Sequence, residues 1–258
     1  MSKALEDFGC SMSTDKRRIL IPENVVDSAI STRSGRTVLL ASRDGKNDIC
    51  VPCGRTFLAN GGEAVYVKNL ITGTRHQSTL DDVIDFTVPS HNLPQVDFLW
   101  TMSGATEQPP HLMELLEQRA SFEYSTKHYQ GGALNARQAR EMSEVAALLA
   151  GGEKELSRRP IFSAIQCPIA PLKLDGSVAE ALMELAKAGI PVVAMSAPIA
   201  GVTSPVALAG TVAQVTAENL TRLVICQAGK KDAPFIFSSD SSPACMWMYG
   251  GMPRTSRW

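Results

Sequence analysis

Apolar and polar positions along this chain fall into two regimes that divide near Val96. Beyond it, short apolar runs alternate with longer stretches of helical spacing. The plainest case is residues 188–227. Ile190, Pro191, Val192, Val193, Ala194 and Met195 form an almost unbroken apolar run. A strand without alternation is covered on both faces, as in a parallel sheet beneath helices. Gly189 is placed to end the preceding helix, and Pro191 starts the strand, where a missing N–H is tolerated. Residues 196–204 form a loop of small side chains. Ser204 is a candidate N-cap, with Pro205 in the first helical position. Val206, Ala209, Ala213, Leu220, Leu223 and Val224 then make a helical stripe. The result is a βα unit whose loop lies where α/β folds place their chemistry.

The same rhythm predicts strands over 98–102, 121–125, 160–165 and 234–238, five in all. Helices are predicted over 111–120 and 135–149, the latter capped by Asn135 with Gln138 in capping-box register. Ser177 and Glu180 give another capping box, and Val178, Ala181, Leu182 and Leu185 share one helical face. Before Val96 the pattern differs. A short helix fits residues 20–30. β-formers at 37–42 and 64–68 are divided by the turn signals Arg43-Asp44-Gly45 and Asn60-Gly61-Gly62. Residues 71–75 read as a turn, and 79–85 as a short helix with a Thr or Ser cap. The expected organisation is an α+β cap over 1–95, five βα units over 96–243 and an irregular tail over 244–258. The order of the strands does not follow from spacing. A sheet edge without a partner is a poor structure in isolation, so either the sheet is open or the chain stops inside its fold.

Composition narrows the class. The chain has 258 residues, 44% hydrophobic and 20% charged, which is ordinary for a globular protein. A net charge of -1 and a pI near 6.4 supply no global field for nucleic acid or an acidic membrane. No apolar run approaches a membrane span of roughly 20 residues, and the N-terminus has no apolar signal core, so a cytoplasmic location is expected. Six cysteines are too sparse for a disulfide scaffold and read mostly as free thiols. Cys50-Val51-Pro52-Cys53 is a CxxC without the further ligands a zinc site needs, and no metal is expected.

Several segments resemble the trimethylamine methyltransferase family. The long motif comprises Gly189-Ile190-Pro191-Val192, Pro198, Gly201, Thr203, Pro205-Val206, Leu208-Ala209-Gly210, Gln214 and Ala217-Glu218-Asn219-Leu220. Cys167-Pro168-Ile169-Ala170-Pro171-Leu172 looks like the family's Pro-Ile-x-Pro-Leu loop. Thr72-Gly73, Arg75, Thr79 and Asp82 match a third segment. The resemblance spans about residues 20–253. It implies an α/β fold that is a partial TIM (β/α)8 barrel, since family members are about twice as long and a closed barrel needs eight units. It also implies transfer of a methyl group from trimethylamine or a related quaternary amine to the cobalt of a corrinoid (cobalamin) held by a separate protein. That places the chain in methylamine metabolism and methanogenesis, with a cognate corrinoid protein and a small methylated amine as partners and a homo-oligomeric state. Some members hold the amine with pyrrolysine; others lack it and demethylate quaternary amines such as glycine betaine. Residues 254–258 leave the family pattern, which fits a truncated gene or a frameshift.

A quaternary ammonium has no proton to remove. Its enzyme must bind a bulky cation, screen it from water and present one methyl group. Aromatic faces and carboxylates suit that task. Position at strand C-termini selects Met102, Lys127, Gln166, Ser239 and Asp240 as candidate substrate contacts, with His128 and Cys167 beside them. Lys127 reads more readily as a surface or loop residue, and Asp240 equally as a helix cap. Ser196, Pro198, Gly201 and Thr203 are expected to form a corrinoid-facing loop, although each also has a purely conformational reading. Two other functions remain. One is an incomplete, non-catalytic product that at most docks the corrinoid protein. The other, a phosphate-binding barrel enzyme, requires a late Gly-rich loop that the sequence lacks.

Overall fold

A computed structural model describes residues 1–14, 18–33 and 36–244. The chain opens with α1 (Ser2–Asp7), the antiparallel pair β1 (Ser11–Met12) and β2 (Ile19–Leu20), and α2 (Glu23–Arg33). Two hairpins follow: β3 (Val38–Leu40) with β4 (Ile49–Val51), and β5 (Tyr66–Lys68) with β6 (Arg75–Gln77). Next comes α3 (Leu80–Asn92). The Thr79 side chain accepts from the Asp82 N–H while Asp82 accepts from the Thr79 N–H, the reciprocal cap that satisfies two orphan donors.

Strands and helices then alternate: β7 (Leu99–Trp100), α4 (Met113–Tyr124), β8 (Tyr129–Gly131), α5 (Ala136–Ala150), α6 (Glu153–Arg158), β9 (Phe162–Gln166) and α7 (Gly176–Ala188). The series ends with β10 (Val192–Ser196), β11 (Ile199–Ala200), α8 (Leu208–Gly229), β12 (Phe235–Ser239) and β13 (Ser242–Pro243). Strands β7, β8, β9, β10 and β12 form one parallel sheet in that order. Each new strand joins the same edge, so right-handed crossovers put the connecting helices on one face. The sheet is open, and no closed barrel forms among the described residues. Residues 58–64 run beside β7 through the parallel bridges Ala59–Phe98 and Ala64–Ser103.

Register assigns the two faces. Tyr129, Phe162, Ala164 and Val192 point into the main core with Met142 and Ala146 of α5, Leu182 and Leu185 of α7, and Leu223 and Val224 of α8. Each fully buried leucine there contributes roughly 2 kcal/mol of transfer free energy. Leu5 of α1 and Val25 and Ala29 of α2 belong to the same core. Trp100, Gln130, Ser163, Ile165, Val193, Met195, Ile236 and Ser238 alternate onto the other face. The β3–β4 hairpin covers the lower end of that face: Val38, Leu40 and Ile49 cluster with Phe98 and Ile236. Backbone bonds from Ala41 N to Pro160 O and from Arg43 N to Thr126 O hold it there.

Four local expectations change. The strand predicted over 121–125 is the end of α4, and the strand is Tyr129–Gly131 instead. The buried stripe of α4 is polar (Glu114, Glu117, Gln118, Ser121), so hydrophobic spacing could not reveal it. Helix α7 is capped by Asp175, whose Oδ1 accepts from Ser177 N at 2.8 Å; Ser177 lies inside the first turn. Helix α8 begins at Leu208, not near Pro205. Ser204 Oγ instead meets Thr211 Oγ1 at 3.0 Å, and the Thr211 hydroxyl lies 3.0 Å from Pro205 O. Asn135 caps α5 as predicted, while Gln138 Oε1 accepts from Leu134 N rather than completing the box. Beyond Ala244, the predicted tail lies outside the described residues.

Candidate functional site

The C-terminal ends of the parallel strands form one rim, and most of the predicted site residues stand on it. Met102 follows β7 and is half-buried. Gln166 ends β9 but is buried, with Nε2 donating to Ala133 O at 2.6 Å. Ser196 ends β10 and is also buried. Ser239 ends β12, its hydroxyl 3.1 Å from Ser196 O, and Asp240 stands exposed beyond it.

Lys127 and His128 do not reach this rim. Because the preceding strand is in fact helix, both precede β8 and lie at the opposite end of the sheet. Lys127 Nζ donates to Ser90 O at 2.8 Å and Leu93 O at 2.7 Å, closing the C-terminus of α3, where a cation also meets the helix dipole favourably. Its side chain is committed there, not to substrate. His128 is fully buried between Ala41 O (3.1 Å from Nδ1) and Ser163 Oγ (3.0 Å from Nε2). The carbonyl can only accept, so a neutral ring carries its proton on Nδ1 and accepts from Ser163. Burial pushes the His128 pKa down to about 4.

Beneath the rim, α8 supplies a buttress. Arg222 is fully buried and donates to Gln166 O, to Ser196 Oγ at 2.6 Å and to Asn219 Oδ1. Burial pulls its pKa down to about 10. Asn219 receives the Ser196 hydroxyl at 3.0 Å and donates to Ser238 O at 2.7 Å. Glu218 accepts from Leu172 N and from Gln214 Nε2, both at 3.0 Å, and Gln214 also donates to Thr203 O at 2.9 Å. The motif residues Gln214, Glu218 and Asn219 thus tie together the ends of β10 and β12 and the two loops above them, and Arg222 adds the end of β9. Ser196 serves that network. In the 197–207 loop, Gly201 takes φ +85° and the Thr203 hydroxyl accepts from Ile199 N at 2.8 Å, while Pro198 is buried. Val202, Val206, Leu208 and Val212 beside them are exposed.

On the uncovered face near the rim, register brings Trp100 and Met195 to the same side as Ile165 and Val193, and Met102 and Cys167 follow the C-terminal ends of β7 and β9. The charges felt at Cys167 are Arg222, Glu63 and Asp240. An indole, three sulfur-bearing side chains and nearby carboxylates make a surface that suits an apolar cation.

A second acidic feature escaped sequence analysis. Glu63, Glu114 and Glu117 each place a carboxylate oxygen within 4.8 Å of the others. Glu63 is exposed; Glu114 and Glu117 are buried at 3% and 1% exposure. Glu117 Oε1 accepts from Ala105 N at 2.7 Å, after β7, and the Gly132 N–H after β8 bonds Glu114. Burial first, then the neighbouring carboxylates, raise the pKa of both. The i, i+3 spacing of Glu114 and Glu117 was visible, but only the fold brings Glu63 to them. Cys50 and Cys53 are exposed free thiols, and the structure assembles no metal-ligand cluster around them among the described residues.

Comparison with known proteins bears on the whole chain. A family model described as trimethylamine methyltransferase (MTTB) matches residues 1–254. A trimethylamine methyltransferase of Desulfitobacterium hafniense is 31% identical over 243 residues, which is 93% of this chain and 49% of that protein. A glycine betaine methyltransferase of the same species is 27% identical over 227 residues, 88% of this chain and 47% of the relative. A Methanosarcina barkeri trimethylamine methyltransferase is 28% identical over 246 residues, covering 92% and 49%. The chain therefore spans about half the length of the curated relatives it matches.

Proposed function

The chain belongs to the trimethylamine methyltransferase family, and from that premise we propose that it forms the amine-binding half of a methyltransferase for a quaternary or tertiary methylamine. In this reading the five parallel strands are an arc of a (β/α)8 barrel whose uncovered face is the lumen. The observation that carries it is the grouping of Trp100 and Met195 on that face with Met102, Cys167 and Asp240 at the strand ends of the rim. A methylated ammonium spreads its charge over methyl groups. It is held by an aromatic face, polarisable sulfur and a carboxylate, whose attraction needs no N–H on the cation. Ser239 contributes through Ser196, by fixing the end of β12, and Gln166 by fixing the end of β9.

The methyl acceptor in this reading is the cobalt of a corrinoid held by a separate protein. The loop over 197–207 fits an approach by that protein. No charged side chain occurs from Ser196 to Ala217, and Val202, Val206 and Leu208 are exposed. Gly201 and Thr203 shape the loop, and Gln214 and Glu218 hold it from below.

The test is titration of the full chain with glycine betaine, protonated trimethylamine and tetramethylammonium, read by calorimetry. Saturable binding that weakens about tenfold in Trp100→Leu and in Asp240→Asn supports the assignment. Binding indifferent to both substitutions, or none, places the amine elsewhere and favours docking without catalysis.

A further inference from the structure

We propose that Glu63, Glu114 and Glu117 form a binding site for one hard divalent cation of the Mg2+, Mn2+ or Ca2+ class, adjoining the Trp100 side of the amine surface. Three carboxylate oxygens no more than 4.8 Å apart surround a point that lies at most about 2.8 Å from each. A small inward rotation of the exposed Glu63 side chain brings that to the roughly 2.1–2.6 Å of magnesium or calcium–oxygen bonds. The same spacing is too tight for a quaternary ammonium, whose methyl groups hold carboxylate oxygens well outside this radius. An all-oxygen donor set with no sulfur or imidazole selects hard ions over zinc or copper.

Acidity alone would not make a site; two further features do. Glu114 Oε2 and Glu117 Oε2 are both buried and have no hydrogen-bond partner among the described residues. Unpaired buried carboxylate oxygens are costly, and a cation removes that cost. The other oxygen of Glu117 is already fixed by the Ala105 N–H, and the Gly132 N–H bonds the Glu114 carboxylate. Backbone donors that orient a carboxylate while leaving one oxygen free are the outer-shell arrangement of metal ligands. A Cβ on Gly104 would lie 3.7 Å from Glu117 Oε1. The small residues at 104 and 132 leave the room: a Cβ at Gly132 would come within 3.2 Å of Glu114 Oε1.

The three ligands come from two chain segments, the strip beside β7 and α4, with loop donors after β7 and β8. A bound ion would therefore lock the first two units of the sheet together at the rim. The experiment is titration of the whole chain with Mg2+, Ca2+ and Mn2+ by calorimetry, paired with Tb3+ as a luminescent probe. The Trp100 ring abuts Gly62, next to Glu63, since a Cβ there would be 3.0 Å from it; the indole is thus placed to sensitise Tb3+ emission. One equivalent of ion is expected, with emission lost in Trp100→Phe. Affinity should fall at least about tenfold in Glu117→Gln and in Glu63→Gln. Glu63 is exposed, so its variant folds even where Glu117→Gln does not, and circular dichroism separates the two cases. Absence of binding at millimolar ion, binding unchanged in Glu63→Gln, or displacement of emission by methylammonium alone would each overturn the assignment. None of these outcomes depends on whether the amine binds at Trp100 and Asp240.

Discussion

Arg222 Nη2 donates to the hydroxyl oxygen of Ser196 at 2.6 Å, joining the middle of the last long helix to the end of the fourth strand. Both groups are fully buried. Truncating the arginine strips partners from Gln166 O, Ser196 Oγ and Asn219 Oδ1 at once. Arg222→Met is expected to cost about 3 kcal/mol in urea unfolding, because buried polar groups are left unpaired. Arg222→Lys should recover only part of that, since one ammonium cannot reach the acceptors a planar fork spans. Equal stability of wild type and Arg222→Met would mean the network contributes nothing.

Lys127 is a structural cation. Lys127→Met is expected to lower stability by about 2 kcal/mol through loss of two charge-assisted bonds to Ser90 O and Leu93 O. Hydrogen exchange should rise first in the last turn of α3. Amine affinity measured by calorimetry should stay unchanged once folding is allowed for.

His128 predicts an acid-sensitive fold. Its folded pKa is depressed to about 4 from an ordinary 6.5. Between those values the unfolded chain binds a proton that the native state refuses, so stability falls as pH drops through this window. The shift corresponds to roughly 3 kcal/mol, fully lost by pH 4. Denaturant melts from pH 7 to 4 should show that slope, and His128→Gln, which cannot titrate, should flatten it.

Gly189 closes α7 with φ +77°, and a Cβ there would stand 2.3 Å from Ser157 Oγ. Gly189→Ala combines left-handed strain with a collision against α6. A loss of more than about 1 kcal/mol in thermal or urea melts is expected, against the gain that Gly→Ala gives at unstrained positions.

The edge of the sheet bears on self-association. Strand β12 pairs with β10 on one side, and Phe237 on it is 49% exposed. An exposed aromatic on an edge strand invites a second chain. Sedimentation at rising concentration should show association that Phe237→Lys reduces. A wild-type chain that stays monomeric would show the edge to be protected.

Much of the fold was legible in the residues. The apolar runs at β9 and β10 announced a parallel sheet because both faces of those strands are covered. Asn135, Thr79 and Gly189 marked helix ends by local hydrogen bonding and backbone conformation alone. Where a helix buried polar side chains, as α4 does with Glu114, Glu117 and Gln118, periodicity was silent. The strand placed over 121–125 was the consequence, and it carried Lys127 and His128 to the wrong end of the sheet. The cap expected at Ser204 failed for a related reason: Ser204 spends its hydroxyl on Thr211, a partner seven residues away.

The sequence by itself determined the alternation of strands and helices, the helix ends at Thr79, Asn135 and Gly189, and the family motif from Gly189 to Leu220. These depend on near neighbours, whose propensities and short-range bonds the chain order displays directly. Tertiary structure alone decided what that motif does, because Asn219 and Glu218, with Arg222 just beyond it, act through Gln166, Ser196, Ser238 and Leu172, brought near only by winding of the sheet. It alone also decided that Glu63 meets Glu114 and Glu117. Three carboxylates, one of them some 50 residues from the others, have no short-range signature; Glu114 and Glu117 are buried by the packing of α4, and Glu63 meets them from the strip beside β7.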